Sequence, residues 1–363
     1  MTGPVRPMSA PGWRPFGEPV GPAWDAFAAA HPHGRFIHLT GFKKTVEDVY
    51  GLRPNYWLFE EDGRLRAIFP SFFHRGILYG KRLVSQPFSE YGGILFSPDA
   101  AAAERRAILA EFPRVIQRSR EAGRLDYLEV RGFPDNEGAD AGLFEKVSLY
   151  ECAVLPLAPG FKLWDNVNYS VRKNVRRARS CGLTISLLRT PEEIRAIFYP
   201  LHLRSLKRLG SPPHPLAYFL GLQQNLGSHL RLSTAWLGRT PIAALLGWVV
   251  GASVQITDIA SDERFFQYRA TDLLHFELID GAVSEGLRLF DFGPLRYAGQ
   301  KQYKKKWGVE TREYAYYYSP PQKRRPPLSD RTLPARAARS VWRHVPSALA
   351  SRLGRLLRKE LSI

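Results

Sequence analysis

Residues 285–318 read EGLRLFDFGPLRYAGQKQYKKKWGVETREYAYYY, and the rest of the chain is organised around them. Leu287, Leu289, Phe290 and Phe292 predict a short buried strand that ends around Asp291 and Gly293. An acidic residue and a glycine at a strand end mark the place where α/β proteins usually set their chemistry. Arg296, Lys301, Lys304, Lys305 and Lys306 follow with no acid between them, and predict a basic loop. Trp307-Gly308 closes that loop, and an aromatic strand is predicted from Arg312 to Tyr318.

A second basic stretch, RKNVRRARSCG at residues 172–182, lies upstream. Tyr303-Lys304-Lys305-Lys306-Trp307-Gly308 resembles the aromatic-Lys-x-x-aromatic-Gly signature that closes the second domain of FemAB-like transferases. Residues 172–182 resemble the family's R-x-N-[IV]-[KR]-x-A motif with its following glycine, and the order and separation of the two motifs match as well. The resemblance implies an α/β fold of mixed α+β sheets, built as two tandem GNAT-like acyl-CoA N-acyltransferase domains.

The chain has 363 residues, 44% of them apolar, enough to bury a sizeable core and to form two domains. Its two cysteines, Cys152 and Cys181, lack metal-ligand spacing and point to a reducing compartment. Pro4, Pro7, Pro11 and Pro15 interrupt the start, so no signal peptide is expected there. The apolar stretch from Pro241 to Val254 is too short and glycine-broken to span a bilayer, and a cytoplasmic protein is expected. The nine histidines are scattered, His31, His33 and His202 among them, and no metal site is expected. Net charge is +18, half of it within residues 319–363. Such a surplus calls for an acidic partner: nucleic acid, an anionic membrane or a phosphorylated substrate.

Residues 1–20 are rich in Pro and Gly and read as a flexible arm. Residues 21–155 read as a first GNAT-like domain. Residues 156–318 read as a second that carries the transfer site, and residues 319–363 as a basic tail with an amphipathic helix. Asp62-Gly63 marks a hairpin between Tyr56–Phe59 and Leu65–Phe73, and Ala100–Glu121 reads as one long helix. Residues 59–73 resemble 235–250, and residues 121–130 resemble 284–293, at similar spacing in both halves. That internal similarity points to a duplicated unit in which a long helix follows a central hairpin.

In a GNAT-type domain two parallel strands splay, and the acyl donor enters between them. Here those strands are Ser253–Ala260 and Leu287–Phe292. Backbone N–H groups in the gap stabilise the oxyanion of acyl transfer, and the helix starting near Phe265 aims its N-terminus at donor phosphates. Residues 263–271, ERFFQYRAT, lack the glycine loop of the usual coenzyme A site, leaving phosphate contacts to Arg264 and Arg269. Two donors therefore stay open, acyl-CoA and aminoacyl-tRNA. Asp258 alternates with Val254 and Ile256 and is a candidate base, as is Asp291. Tyr268, Tyr297 and Tyr303 are candidate acids. The resemblance places Lys304 beside the transferring carbonyl, with Tyr303 and Trp307 as aromatic positions of the same motif. It places Arg172, with Asn174 and Arg176 on the same basic helix, on the acceptor's phosphate. In the first domain it assigns Tyr91 and Glu129 to the acceptor.

Trp342, Val345, Leu349, Leu353, Leu356, Leu357 and Leu361 recur about one helical turn apart with Arg343, Arg352, Arg355, Arg358 and Lys359 among them. Such a helix lies on an anionic membrane or docks on the protein itself. The expected protein is a monomeric acyltransferase, cytoplasmic or peripheral on the inner face of the plasma membrane. It moves an acyl or aminoacyl group onto an amine or hydroxyl of a phosphate-bearing peptidoglycan or exopolysaccharide precursor. The alternatives are a tRNA-dependent peptidyltransferase and a non-catalytic nucleic-acid- or membrane-binding protein on a degenerate GNAT fold.

Overall fold

The computed structural model describes residues 11–132, 143–321 and 340–362. The chain divides into two compact units. One holds residues 1–43, 51–148 and 315–325, the other residues 44–50, 149–314 and 326–363.

The first unit contains β1 (Gly12–Pro15), α1 (Gly21–Ala30), the start of α2 (Thr40–Tyr50), β2 (Arg53–Pro54), β3 (Trp57–Glu61) and β4 (Arg64–Phe69). It continues with β5 (Phe72–Arg75), β6 (Lys81–Val84), β7 (Leu95–Phe96), α3 (Ala102–Ala110), α4 (Phe112–Gly123) and β8 (Tyr127–Arg131). One sheet runs β1-β3-β4-β7. The other runs β8-β6-β5-β2, with Tyr316–Ser319 paired antiparallel to β8. Trp57, Phe69, Phe112, Leu128 and Tyr317 lie in its core.

Three expectations for this unit change. Residues 12–15 are a strand paired with Trp57–Glu60, where a flexible arm was expected; Trp13 edges onto Phe59 and Phe112 and so repays the ordering of the chain. Residues 1–10 of that arm lie outside the described residues. The strand expected over Leu65–Phe73 is two strands in two sheets, broken at Pro70-Ser71, because proline brings no N–H to a ladder. The helix expected over Ala100–Glu121 breaks at Glu111, and α4 restarts with Pro113 in its first turn.

The second unit contains most of β9 (Glu145–Pro156), α5 (Leu163–Asn166), α6 (Tyr169–Ser180), β10 (Leu183–Leu187), α7 (Pro191–Glu193), α8 (Tyr199–Leu209) and α9 (Leu216–Leu226). There follow β11 (Leu230–Leu237), β12 (Thr240–Val250), β13 (Ser253–Ser261), α10 (Ala270–Ser284), β14 (Leu289–Pro294), α11 (Ala298–Lys305), the first half of β15 (Glu310–Ser319) and α12 (Ser347–Leu361). Its sheet runs β10-β11-β12-β13-β14-β9. Val171, Val175 and Ala178 of α6 join Leu273, Leu274, Phe276 and Ile279 of α10 in one core with Val254, Ile256, Phe290 and Phe292 of the sheet. The stretch read as a basic loop is largely helical: Ala, Gln and Lys favour α11, and Gln300 Oε1 accepts from the Arg296 N–H ahead of its first turn.

The duplicated grammar of the sequence has a structural counterpart. β6 and β8 are a parallel pair joined through α3 and α4, and β13 and β14 are a parallel pair joined through α10.

Candidate active site

β13 and β14 pair only from Ser253↔Leu289 to Gln255↔Asp291. Beyond that point β13 stays with β12 as far as Ser261, while β14 continues along β9 to Pro294 with an irregularity between Asp291 and Gly293. The result is a wedge that leaves one edge of β13 without a strand partner among the described residues. Asp291 is fully buried at the wedge's apex, where its Oδ1 accepts from the Gly293 N–H at 2.8 Å. The carboxylate thus fixes the turn of the strand, and Gly293 (φ +71°) occupies a left-handed conformation that suits glycine.

Lys304, from the last turn of α11, stands over this strand end. Its Nζ donates to the carbonyls of Phe292 at 2.5 Å and Pro294 at 2.8 Å, and the residue is 7% exposed. Burial pulls its pKa down to about 8, against the upward pull of Asp291. Two of the three ammonium hydrogens serve these carbonyls, and the cation sits where the wedge opens.

The two basic motifs meet in one hydrogen-bonded frame. Asn168, the N-cap of α6, donates its backbone N–H to Lys306 O at 2.9 Å and accepts from Ser170 N through its side chain. Asn166 Nδ2 donates to Trp307 O at 2.9 Å. Gly308 (φ +75°) leaves no room for a Cβ beside the Asn166 amide. Arg172 Nη1 donates to Val167 O at 2.6 Å and Trp164 O at 3.1 Å, so it closes the α5–α6 turn as well as being the expected phosphate ligand. Arg176 is exposed, with its guanidinium 5.1 Å from the Trp164 ring centroid. Asn174 Nδ2 donates to Asp272 Oδ2 at 3.3 Å, joining α6 to the first turn of α10. Burial pushes the Asp272 carboxyl up against the pull of Asn174, Arg269 and Lys306.

At the start of α10, Arg269 (φ +59°) is an exposed left-handed N-cap whose carbonyl accepts from Asp272 N and Leu273 N. Arg264 instead pairs with Asp262, and that bond, more than Arg204's charge, holds the Asp262 carboxyl at about 2. Arg269 therefore remains as the cation at this helix start. Tyr268 is half-buried beside Phe265, and Tyr297 is exposed. Trp307 is fully buried against His275 and Phe292, a core position rather than a substrate wall. Tyr303 Oη lies 3.2 Å from His275 Nδ1, which also contacts Thr271 O at 2.8 Å. Burial lowers the His275 pKa to about 4, so the ring is neutral at pH 7.

A family model described as an acetyltransferase (GNAT) domain matches residues 165–305, the segment that carries both motifs and the wedge. The chain also resembles the crystal structure of FemX over 82% of its own length and 95% of that chain, with 14% identity and a TM-score of 0.67. A tandem GNAT protein from the clavulanic acid biosynthesis pathway matches 86% of this chain and all (100%) of its own, with 14% identity and a TM-score of 0.54. The C-terminal domain of a candidate lysylphosphatidylglycerol synthetase from Agrobacterium fabrum matches over 77% and 87%, with 12% identity and a TM-score of 0.54. No curated protein sequence matches this one. The FemAB-like resemblance and the tandem GNAT fold read from the sequence are borne out.

Within the matched segment, Asp258 departs from its expected surroundings. Leu246 pairs with Asp258 while Gly247 pairs with Ile256, so a β-bulge at Thr257 puts Asp258 out of step with Val254 and Ile256. The carboxylate leaves the core side and meets α8, where His202 Nδ1 lies 3.3 Å from its Oδ1. Burial pushes the Asp258 carboxyl up, but His202, with help from Arg358 and Thr257, outweighs it and holds the pKa below the usual carboxylate range. His202 was passed over in the sequence because its partner is a strand residue far along the chain; a lone histidine on an amphipathic helix carries no signal of that. Its Nε2 is buried with no hydrogen-bond partner among the described residues.

Tyr91 and Glu129 belong to the other unit. Glu129 and Arg131 are both fully buried and form an ion pair at 2.7 Å, and Arg131 also donates to Ser89 O at 2.7 Å. Glu129, expected to meet an acceptor, pairs with Arg131 through Oε1, while its Oε2 is buried with no hydrogen-bond partner among the described residues. Tyr91 is half-buried with the Arg35 guanidinium 5.8 Å from its ring centroid. Among the described residues no group of three or more His, Cys, Asp or Glu side chains is placed to hold a metal ion, and no helix is long and apolar enough to cross a membrane.

Proposed function

We propose that this protein is a cytoplasmic, monomeric acyltransferase that moves an acyl or aminoacyl group onto an amine or hydroxyl of a phosphate-bearing cell-envelope precursor. The observation that carries the reading is the frame joining both basic motifs around the β13–β14 wedge, through Asn166, Asn168 and Arg172. A fold alone does not dictate a reaction; cations and unpaired strand edge gathered at one wedge favour acyl transfer.

In this reading the acceptor's nucleophile adds to the donor's ester or thioester carbonyl. The negative charge that develops on the carbonyl oxygen is met by N–H groups of the β13 edge and by the remaining N–H of Lys304. Asp258, oriented by His202, takes the proton from the attacking amine or hydroxyl and returns it to the departing oxygen or sulfur as the carbonyl re-forms and the donor's ester or thioester bond breaks. Arg269 and the α10 N-terminus hold anionic groups of the donor, and Arg176 and Arg172 hold the acceptor's phosphate. The net charge of +18 and the glycine-free stretch 263–271 favour aminoacyl-tRNA over coenzyme A as donor.

The test is transfer of labelled aminoacyl groups from tRNA, and of labelled acetyl groups from acetyl-CoA, by the full chain and by Lys304→Ala. The variant is expected to lose turnover by roughly 10²–10³-fold while circular dichroism shows the fold retained. A second reading, a nucleic-acid or membrane binder on a degenerate GNAT fold, draws on the capture of Lys304 by two backbone carbonyls, which suits a structural tie. Under it, Lys304→Ala lowers the midpoint and weakens only salt-dependent affinity.

A further inference from the structure

We infer that the outer face of α12 (Ser347–Leu361) is a contact surface for an anionic lipid bilayer. The helix is inverted relative to ordinary docking. It packs on its own unit through small and polar residues: Ala350 and Gly354 are buried, Ser351 Oγ lies 2.9 Å from Tyr199 Oη, and Arg358 Nε donates to Pro212 O at 2.8 Å. Four of its five leucines turn outward instead, with Leu349 47%, Leu353 37%, Leu356 64% and Leu357 37% exposed, while Leu361 is half-buried. A helix amphipathic by sequence normally buries that stripe; this one anchors by the opposite side and presents it.

Arg352 and Arg355 are exposed among these leucines, with Lys359 half-exposed one turn on and Glu360 as the one acid of the helix. The combination decides the occupant. A second copy of the chain would cover the leucines but bring two sets of arginines together, which costs free energy. A nucleic acid would use the arginines and leave the leucines in water. An anionic bilayer uses both, with leucines entering the acyl boundary and arginines staying among the headgroups. At 15 residues the helix is too short to cross a bilayer and lies on the surface. This inference does not depend on the acyl-transfer reading.

The experiment is co-sedimentation of the full chain with phosphatidylcholine vesicles and with vesicles that also contain phosphatidylglycerol. The chain is expected to partition onto the anionic vesicles in preference to the neutral ones. Arg352→Gln and Arg355→Gln should each weaken that partition by roughly fivefold. Leu353→Asp with Leu356→Asp should weaken it on the order of tenfold or more, with circular dichroism and thermal midpoint retained because both side chains face outward. Equal partition on the two vesicle types overturns the proposal, as does native-like binding by the leucine double variant. So does a dimer that this variant converts to monomer while vesicle binding is absent.

Discussion

Lys304 shows how much a single side chain's setting matters to a reading of its role. A lysine at its ordinary pKa of 10.5 stays cationic well past pH 9, but burial brings this one to about 8. Its charge is therefore complete only well below pH 8, half lost at about pH 8 and gone above it, because the depressed value means the folded protein releases the proton early. If the cation stabilises the developing oxyanion, kcat/KM for transfer falls above about pH 8. Lys304→Met, already low, shows no such limb. A wild-type profile flat to pH 9.5 would leave Lys304 as a tether for β14 and nothing more. The motif made Lys304 legible in the sequence, but its burial was not, since that depends on a strand end and a helix meeting in space. Glu129 is the opposite case. A carboxylate following a strand reads as exposed, and only the structure shows it buried and paired through one oxygen with Arg131, two residues on and on the same face of β8. Asp258 was read on the correct strand and the wrong face, because a bulge at Thr257 leaves no mark in the residues themselves.

Among the elements, the hairpin β11–β12 and the helix α6 were legible because turn chemistry and helical periodicity act locally. Gly238-Arg239 sits at the tip between Leu237 and Thr240, and Asn168 caps α6 through Ser170. Long-range partners were not legible. Nothing in residues 163–168 announces that two asparagines there will bind the carbonyls of Lys306 and Trp307. That frame makes a prediction about Gly308. Alanine there suffers twice, from the left-handed φ of +75° and from overlap with the Asn166 amide. Gly308→Ala is expected to cost roughly 1–3 kcal/mol in denaturant unfolding. It should also slow transfer by shifting Lys304, four residues away, relative to the wedge. A variant as stable and as fast as the native chain would mean that the α5–α6 turn and the Lys304 segment are not coupled.

On the scale of the molecule, the tandem arrangement was readable because each copy repeats the same order, a hairpin, a helical segment and a strand parallel to an earlier one. Periodicity and Gly-containing turns carry that order without any knowledge of partners. The tail was half readable: its amphipathic period predicts a helix but cannot say which side is anchored. Residues 322–339 of that tail lie outside the described residues. Within the second unit α12 brings Arg358 to a polar group that includes Tyr50, His214, Tyr218 and Asp258. Burial depresses the pKa of Arg358, while Tyr50 and Asp258 pull it back up. Tyr50 Oη lies 2.5 Å from His214 Nδ1, and burial first, then the charge of Arg358, holds that imidazole neutral. One glycine controls the approach. A Cβ at Gly354 would overlap the Pro213 carbonyl, and backbone cannot step aside as a flexible side chain can. Gly354→Val is therefore expected to lift α12, breaking the Arg358–Pro212 and Ser351–Tyr199 hydrogen bonds together. Global stability should fall by roughly 1–3 kcal/mol, and amide exchange across residues 347–361 should rise well above that of α8. Because Arg358 then withdraws from Asp258, the acid's pKa should climb toward that of a buried carboxyl, moving the acidic limb of the transfer rate to higher pH. Unchanged exchange in α12 would mean that the helix tolerates the added side chain and that Gly354 does not set its seat.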